Sequence, residues 1–119
     1  MKQEYIILIA RTSVFFSKCD NDYDERERKF IQNYIENFEL VTKVEDSTKD
    51  TLMKIEDEEL SIEGIISQTK KYISQLSETE AKQTISDLEM VINKVIEIDG
   101  VLAKEEVEYF EIWKKELKG

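Results

Sequence analysis

Four carboxylates occupy matching places in two copies of one acidic turn, and oxygen ligands of this type suit a hard divalent cation. The first copy reads Cys19-Asp20-Asn21-Asp22-Tyr23-Asp24-Glu25-Arg26-Glu27, and the second reads Ile98-Asp99-Gly100-Val101-Leu102-Ala103-Lys104-Glu105-Glu106. Laying Asp20 on Asp99 lays Glu27 on Glu106, which makes Asp20, Glu27, Asp99 and Glu106 the candidate metal ligands. Asp22 and Asp24 fall over Val101 and Ala103 and are left out of the set. Brought together without counterions, the four acids would repel one another and resist ionisation, and bound calcium, magnesium or manganese would relieve the repulsion. A second account needs no metal. Aspartate at a turn bonds its own backbone, and glutamate near a helix start is favoured by free N–H groups and the helix dipole. Both accounts stand open at this level.

Asp20, Asp22 and Asp24 alternate as the first ligands of an EF-hand loop do, but the rest of that loop is missing. Its glycine position holds Glu25, its aliphatic position Glu27 and its closing glutamate position Ile31. There is no histidine, which removes Ser-His-Asp and Cys-His nucleophilic pairs and the imidazole ligands of catalytic zinc. The single cysteine, Cys19, removes thiolate clusters and an intramolecular disulfide, and no Gly-rich phosphate loop occurs. Carboxylate chemistry is what remains. A paired-carboxylate enzyme needs two acids facing each other across a cleft, and with 27 acidic residues some proximity arises by chance.

The repeat extends beyond the turns. Ile6 falls over Ile85, Ile9 over Leu88 and Phe16 over Val95 upstream, while Phe30 falls over Tyr109, Tyr34 over Trp113 and Phe38 over Leu117 downstream. Each copy, about 3–39 and 78–118, therefore reads as apolar helix, acidic turn, apolar helix. Residues 3 to 18 are apolar nearly all round, as a central helix should be. Their β-branched content also suits a buried strand, and the helical spacing of Ile85, Leu88, Ile92 and Val95 in the second copy decides for helix. Asp24 to Glu27 and Ser77 to Glu80 have the form of capping boxes, and Ser61 precedes a stripe of Ile62, Ile65, Ile66, Tyr72, Ile73 and Leu76. In the last helix, about 103 to 118, Val107, Tyr109, Phe110, Ile112, Trp113 and Leu117 form a broad apolar surface with Trp113 as core anchor. Ser47-Thr48-Lys49-Asp50 can cap a short helix bearing Leu52, Met53 and Ile55, after which Glu56-Asp57-Glu58-Glu59 predicts a loop or mobile edge, the least ordered part of the chain.

The expected fold is one all-α domain over 1–119, a helical bundle of about five to six helices. Proline is absent and glycine occurs three times, so nothing punctuates short strands. A net charge of -10 disfavours nucleic acid and anionic lipid, and assigns Lys70-Lys71 and Lys114-Lys115 to solvated helix faces. The apolar stretch Tyr5 to Ala10 is too short for a secretory signal or a membrane span, so the expected location is cytoplasmic, with any membrane association through a partner.

An Asp-Gly turn preceded by an apolar helix and followed by an acidic helix start resembles the tellurite-resistance TerB family. That small helical domain is also similar to the N-terminal region of DjlA-type DnaJ-like membrane co-chaperones. The second copy, Ile98 to Glu106, follows the family's pattern, whereas the first has Asn21 where the family has glycine, a residue that still enters the left-handed region readily. The resemblance covers nearly the whole chain. It implies a compact bundle that acts in stress response or assembly at the membrane rather than in catalysis, and a divalent-cation site at Asp20, Glu27, Asp99 and Glu106. The leading expectation is thus a non-catalytic interaction domain with a protein partner. A metal-dependent carboxylate enzyme stands second, and membrane-surface binding through an amphipathic helix is weakened by the lack of a basic face.

Overall fold

The computed structural model describes residues 3–18, 43–98 and 104–118, together with the single positions 25, 28, 29, 32, 33, 36, 37 and 40. Five α-helices and no strand occur among the described residues: α1 (Gln3–Lys18), α2 (Asp46–Lys54), α3 (Ile62–Ile73), α4 (Glu78–Ile98) and α5 (Lys104–Lys118). A 3-10 turn, Ile55–Asp57, follows α2 directly. The single positions, from Glu25 to Leu40, are helical and exposed. The stripe expected at Phe30, Ile31, Tyr34, Ile35 and Phe38 lies outside the described residues, as does the capping box at Asp24 and Glu27.

Helix α1 is buried on several sides. It packs most extensively on α4, then on α3, and carries α2 and the 3-10 turn on a further flank. The main core joins Ile6, Ile9 and Phe16 of α1 to Ile62 and Ile65 of α3, to Leu88, Ile92 and Val95 of α4, and to Phe110 and Trp113 of α5. Of the residue pairs matched by the repeat, Ile9 with Leu88 and Phe16 with Val95 are buried in both copies; Ile6 is buried and Ile85 only partly. Thr12, Ser13 and Ser17 are also buried, and their hydroxyls donate to the carbonyls of Leu8, Ile9 and Ser13, each at 2.8 Å. These bonds within the helix satisfy the hydroxyls where no water reaches them.

Helix ends follow local chemistry. The Ser61 Oγ accepts from the Gly64 N–H at 3.0 Å, and a β-carbon on Gly64 would come 3.0 Å from that oxygen, so glycine here leaves room for the cap. α3 stops at Ile73, earlier than the stripe through Leu76 predicted, in a turn closed by Gln75 N–H to Tyr72 O and Leu76 N–H to Ile73 O. Ser77 then starts α4: its Oγ accepts from the Glu80 N–H at 3.2 Å and donates to the Glu80 carboxylate at 3.0 Å. The box therefore closes side chain to side chain.

Three expectations change. Ser47 does not cap α2, which begins at Asp46 after Glu45 with no side-chain cap bond. The acidic run behind it is not a free edge: Ile55 is 1% exposed, and Glu58 is bonded to Arg11. The apolar surface of α5 is also narrower than its sequence suggests. Phe110 and Trp113 are buried, Tyr109 and Leu117 partly so, while Val107 and Ile112 face solvent, because a single flank of the helix meets α3 and α4.

Truncating Leu88 to Ala should cost about 2–5 kcal/mol of unfolding free energy, whereas Met90→Ala, one turn face away and exposed, should stay within about 0.5 kcal/mol. Urea denaturation of the two variants checks this. Ser61→Ala should cost about 1 kcal/mol by loss of the cap.

Candidate functional site

Of the four predicted ligands, the described residues include Glu106; Asp20, Glu27 and Asp99 lie outside them. Glu106 is the third residue of α5, in the first turn, where the helix dipole and free N–H groups favour a negative charge. It is 3% exposed and is the only charged side chain buried among the described residues. The carboxylate is not without a partner. Phe110 and Trp113 continue the same buried face one and two turns further on.

Aromatic contacts place this turn relative to α1. Phe110 meets Phe16 edge-on, with centroids 6.1 Å apart, and Tyr109 meets Phe15 in the same manner at 5.2 Å. Phe15 and Phe16 belong to the last turn of α1, the end from which the chain continues toward Asp20. Glu106 stands one helical turn, about 6 Å along the axis, before Phe110. The structure thus brings the second turn of α5 against the last turn of α1, a contact that the repeat pattern alone does not specify. Among the described residues, no three His, Cys, Asp or Glu side chains come together as a ligand set.

Two shallow grooves flank the bundle. One, of about 360 Å³, runs between α1 and α3 and presents Glu4, Arg11, Gln68, Lys71 and Tyr72 above Ile7 and Leu8. The other, of about 590 Å³, lies against α4 and the end of α5, where Met90 is exposed beside the Glu89–Lys118 ion pair. The basic pairs do face solvent. Lys70 pairs with Glu116 at 3.0 Å with both side chains about half exposed, and Lys114 pairs with Glu111 while lying 4.5 Å from the centroid of the Phe110 ring.

Tyr72, in the α1–α3 groove, has a displaced ionisation. Burial raises its phenol above the ordinary value of 10.0, and the negative charges of Glu4 and then Glu80 raise it further. Its ring stacks on Tyr5 at 5.7 Å with planes 9° apart, and the Tyr5 hydroxyl donates to Asp87 at 3.3 Å. Sequence reading missed this pair because Tyr5 and Tyr72 were assigned to separate apolar stripes. It missed Arg11 as well, although a lone guanidinium between Ala10 and Thr12 in an apolar helix was the available signal.

No family model, curated protein or solved structure matches this chain.

A phenol whose folded value is raised contributes stability that is complete below pH about 10 and lost as pH rises through the folded value. Absorbance titration at 295 nm should show one tyrosine ionising later than a free phenol and missing from Tyr72→Phe. That variant should also lose less stability than the parent above pH about 10.

Proposed function

We propose that the chain is a non-catalytic interaction domain of TerB-like type, acting in stress response, with a divalent cation held by Asp20, Glu27, Asp99 and Glu106. The observation that carries this reading is the burial of Glu106 in the first turn of α5, alongside the end of α1 that leads to the other acidic turn. A carboxylate withdrawn from water is held by charge or hydrogen bonds; Glu106 already has a partner within the protein, and a cation shared between the two turns would add positive charge to that setting. The four oxygen-bearing side chains suit calcium, magnesium or manganese. When bound, the ion would offset mutual repulsion of the acids and tie the two helix-turn units together. The partner is a protein. A single cysteine fits a reducing cytoplasm. Among the described residues no helix is long and apolar enough to cross a membrane.

Both grooves support recognition better than turnover. The α1–α3 groove sets one carboxylate, Glu4, against Arg11 and Lys71, an arrangement for binding mixed charge rather than for a pair of facing acids.

Calcium, magnesium and manganese titrated separately into metal-free protein should identify the ion by its effect on thermal stability. At a concentration a hundred times its dissociation constant, a binding ion stabilises by about 2.7 kcal/mol. Trp113 is fully buried, so its fluorescence follows the core in the same experiment. The gain should vanish in Asp99→Ala and fall sharply in Glu106→Gln. Absence of stabilisation by any of the three ions would leave the acids as helix caps and turns.

A further inference from the structure

Helix α2 and its following 3-10 turn lie on α1 as a separate layer. Their substantial packing is with α1 and with each other, and beneath them sits a second, smaller apolar cluster. Ala10, Val14 and Ile55 are buried there, with Ile7, Leu52 and Leu60 alongside, of which Leu52 and Leu60 also touch the main core. Ile7, Ala10 and Val14 form one row along α1, and the strap presses Leu52 and Ile55 onto it.

The ends of the strap are fixed independently of this contact. Before it, the Gln3 side-chain amide donates to Lys43 O and accepts from the Glu45 N–H, each at 2.9 Å, while Val44 is buried in the main core. After it, Ser61 caps α3. Between these anchors a polar latch holds the strap: Arg11 donates from Nε to Glu58 Oε2 at 3.0 Å and from Nη2 to Oε1 at 3.2 Å. Arg11 also reaches the exposed Gln68 of α3 at 3.4 Å, which holds its guanidinium from the other side of the groove.

The strap itself is poorly suited to stand alone or to stay closed by charge. Residues 45–59 carry seven carboxylates and two lysines, so like charges crowd there. At nine residues α2 is below the length at which isolated helices persist in water.

From these features we infer that residues 46–58 form a releasable strap over an apolar row of α1, and that the partner which displaces it is an acidic amphipathic helix. The strap shows what the row accepts: two aliphatic side chains three residues apart, Leu52 and Ile55, and a carboxylate three further on, Glu58, for Arg11. A helix that ends in a 3-10 turn and an extended carboxylate, as the strap does at Ile55 and Glu58, presents all three to α1 and replaces the strap contact for contact. This deepens the interaction reading and rests on it, but it needs no cation.

Hydrogen exchange by mass spectrometry on the full chain tests the release. Amides of 46–57 should exchange at least about 100-fold faster than the core amides of α4, because they open without global unfolding. Arg11→Gln should speed strap exchange about two- to five-fold, and Ile55→Ala by more than about 30-fold, with α4 unchanged. Leu88→Ala, which weakens the main core, should speed α4. Equal protection of strap and α4, moving together in all three variants, would overturn the release. A labelled synthetic peptide of residues 45–60 tests the occupant: it should bind Ile55→Ala protein at least about tenfold more tightly than the parent, since the competing strap is loosened. A peptide with Leu52 and Ile55 both changed to Ala should not bind. Failure of the unmodified peptide to bind the loosened variant would overturn the proposed partner chemistry. A negative cation titration leaves both results standing.

Discussion

Helix α1 is apolar on nearly every side, and a helix of that kind is stable in water only when neighbours enclose it. Most of the architecture follows from this requirement. α4 covers the flank with Ile6, Ile9 and Phe16, α3 and α5 complete the main core, and α2 with its 3-10 turn closes the flank with Ala10 and Val14. The polar atoms that α1 carries inward do not interrupt the enclosure, because Thr12, Ser13 and Ser17 each bond their own helix.

Charge plays a different part. The visible ion pairs are exposed or half-exposed, and such pairs contribute about 0–1 kcal/mol each, so they do not hold the bundle together. Apolar burial does that. Among the described residues, several acids depart from an ordinary solvated surface: Glu106 is withdrawn from water in the first turn of α5, Glu58 is joined to Arg11, and Glu89 to Lys118. Trp113 shows the same dominance of packing: its indole is fully buried although its N–H finds no hydrogen-bond acceptor among the described residues.

The two features proposed to have functional roles involve different parts of α1. Its C-terminal end, through Phe15 and Phe16, meets Tyr109 and Phe110, one turn after Glu106. Its middle carries Arg11 and the row beneath the strap. A rigid, enclosed α1 would connect the two, because a shift of that helix must be felt by both α5 and the strap. Its close packing on α4 also limits how far it can shift without disturbing the main core.

Periodicity by itself determined the all-α bundle, the extents of α1, α4 and α5, the Ser61 and Ser77 helix starts and the burial of Trp113. Those properties depend on residues within a few positions of one another, and local spacing records them directly. The acidic repeat likewise marked Glu106, but not that it would be buried on the same face of α5 as Phe110 and Trp113. Only the tertiary structure decided which face of α5 meets the core and left Val107 and Ile112 outside, and only it turned the acidic run after α2 into a latched strap. Arg11 and Glu58 lie far apart in the chain, as do Tyr5 and Tyr72, and their meeting depends on how the helices cross. An amphipathic pattern states that a face is buried; it does not name the surface that buries it.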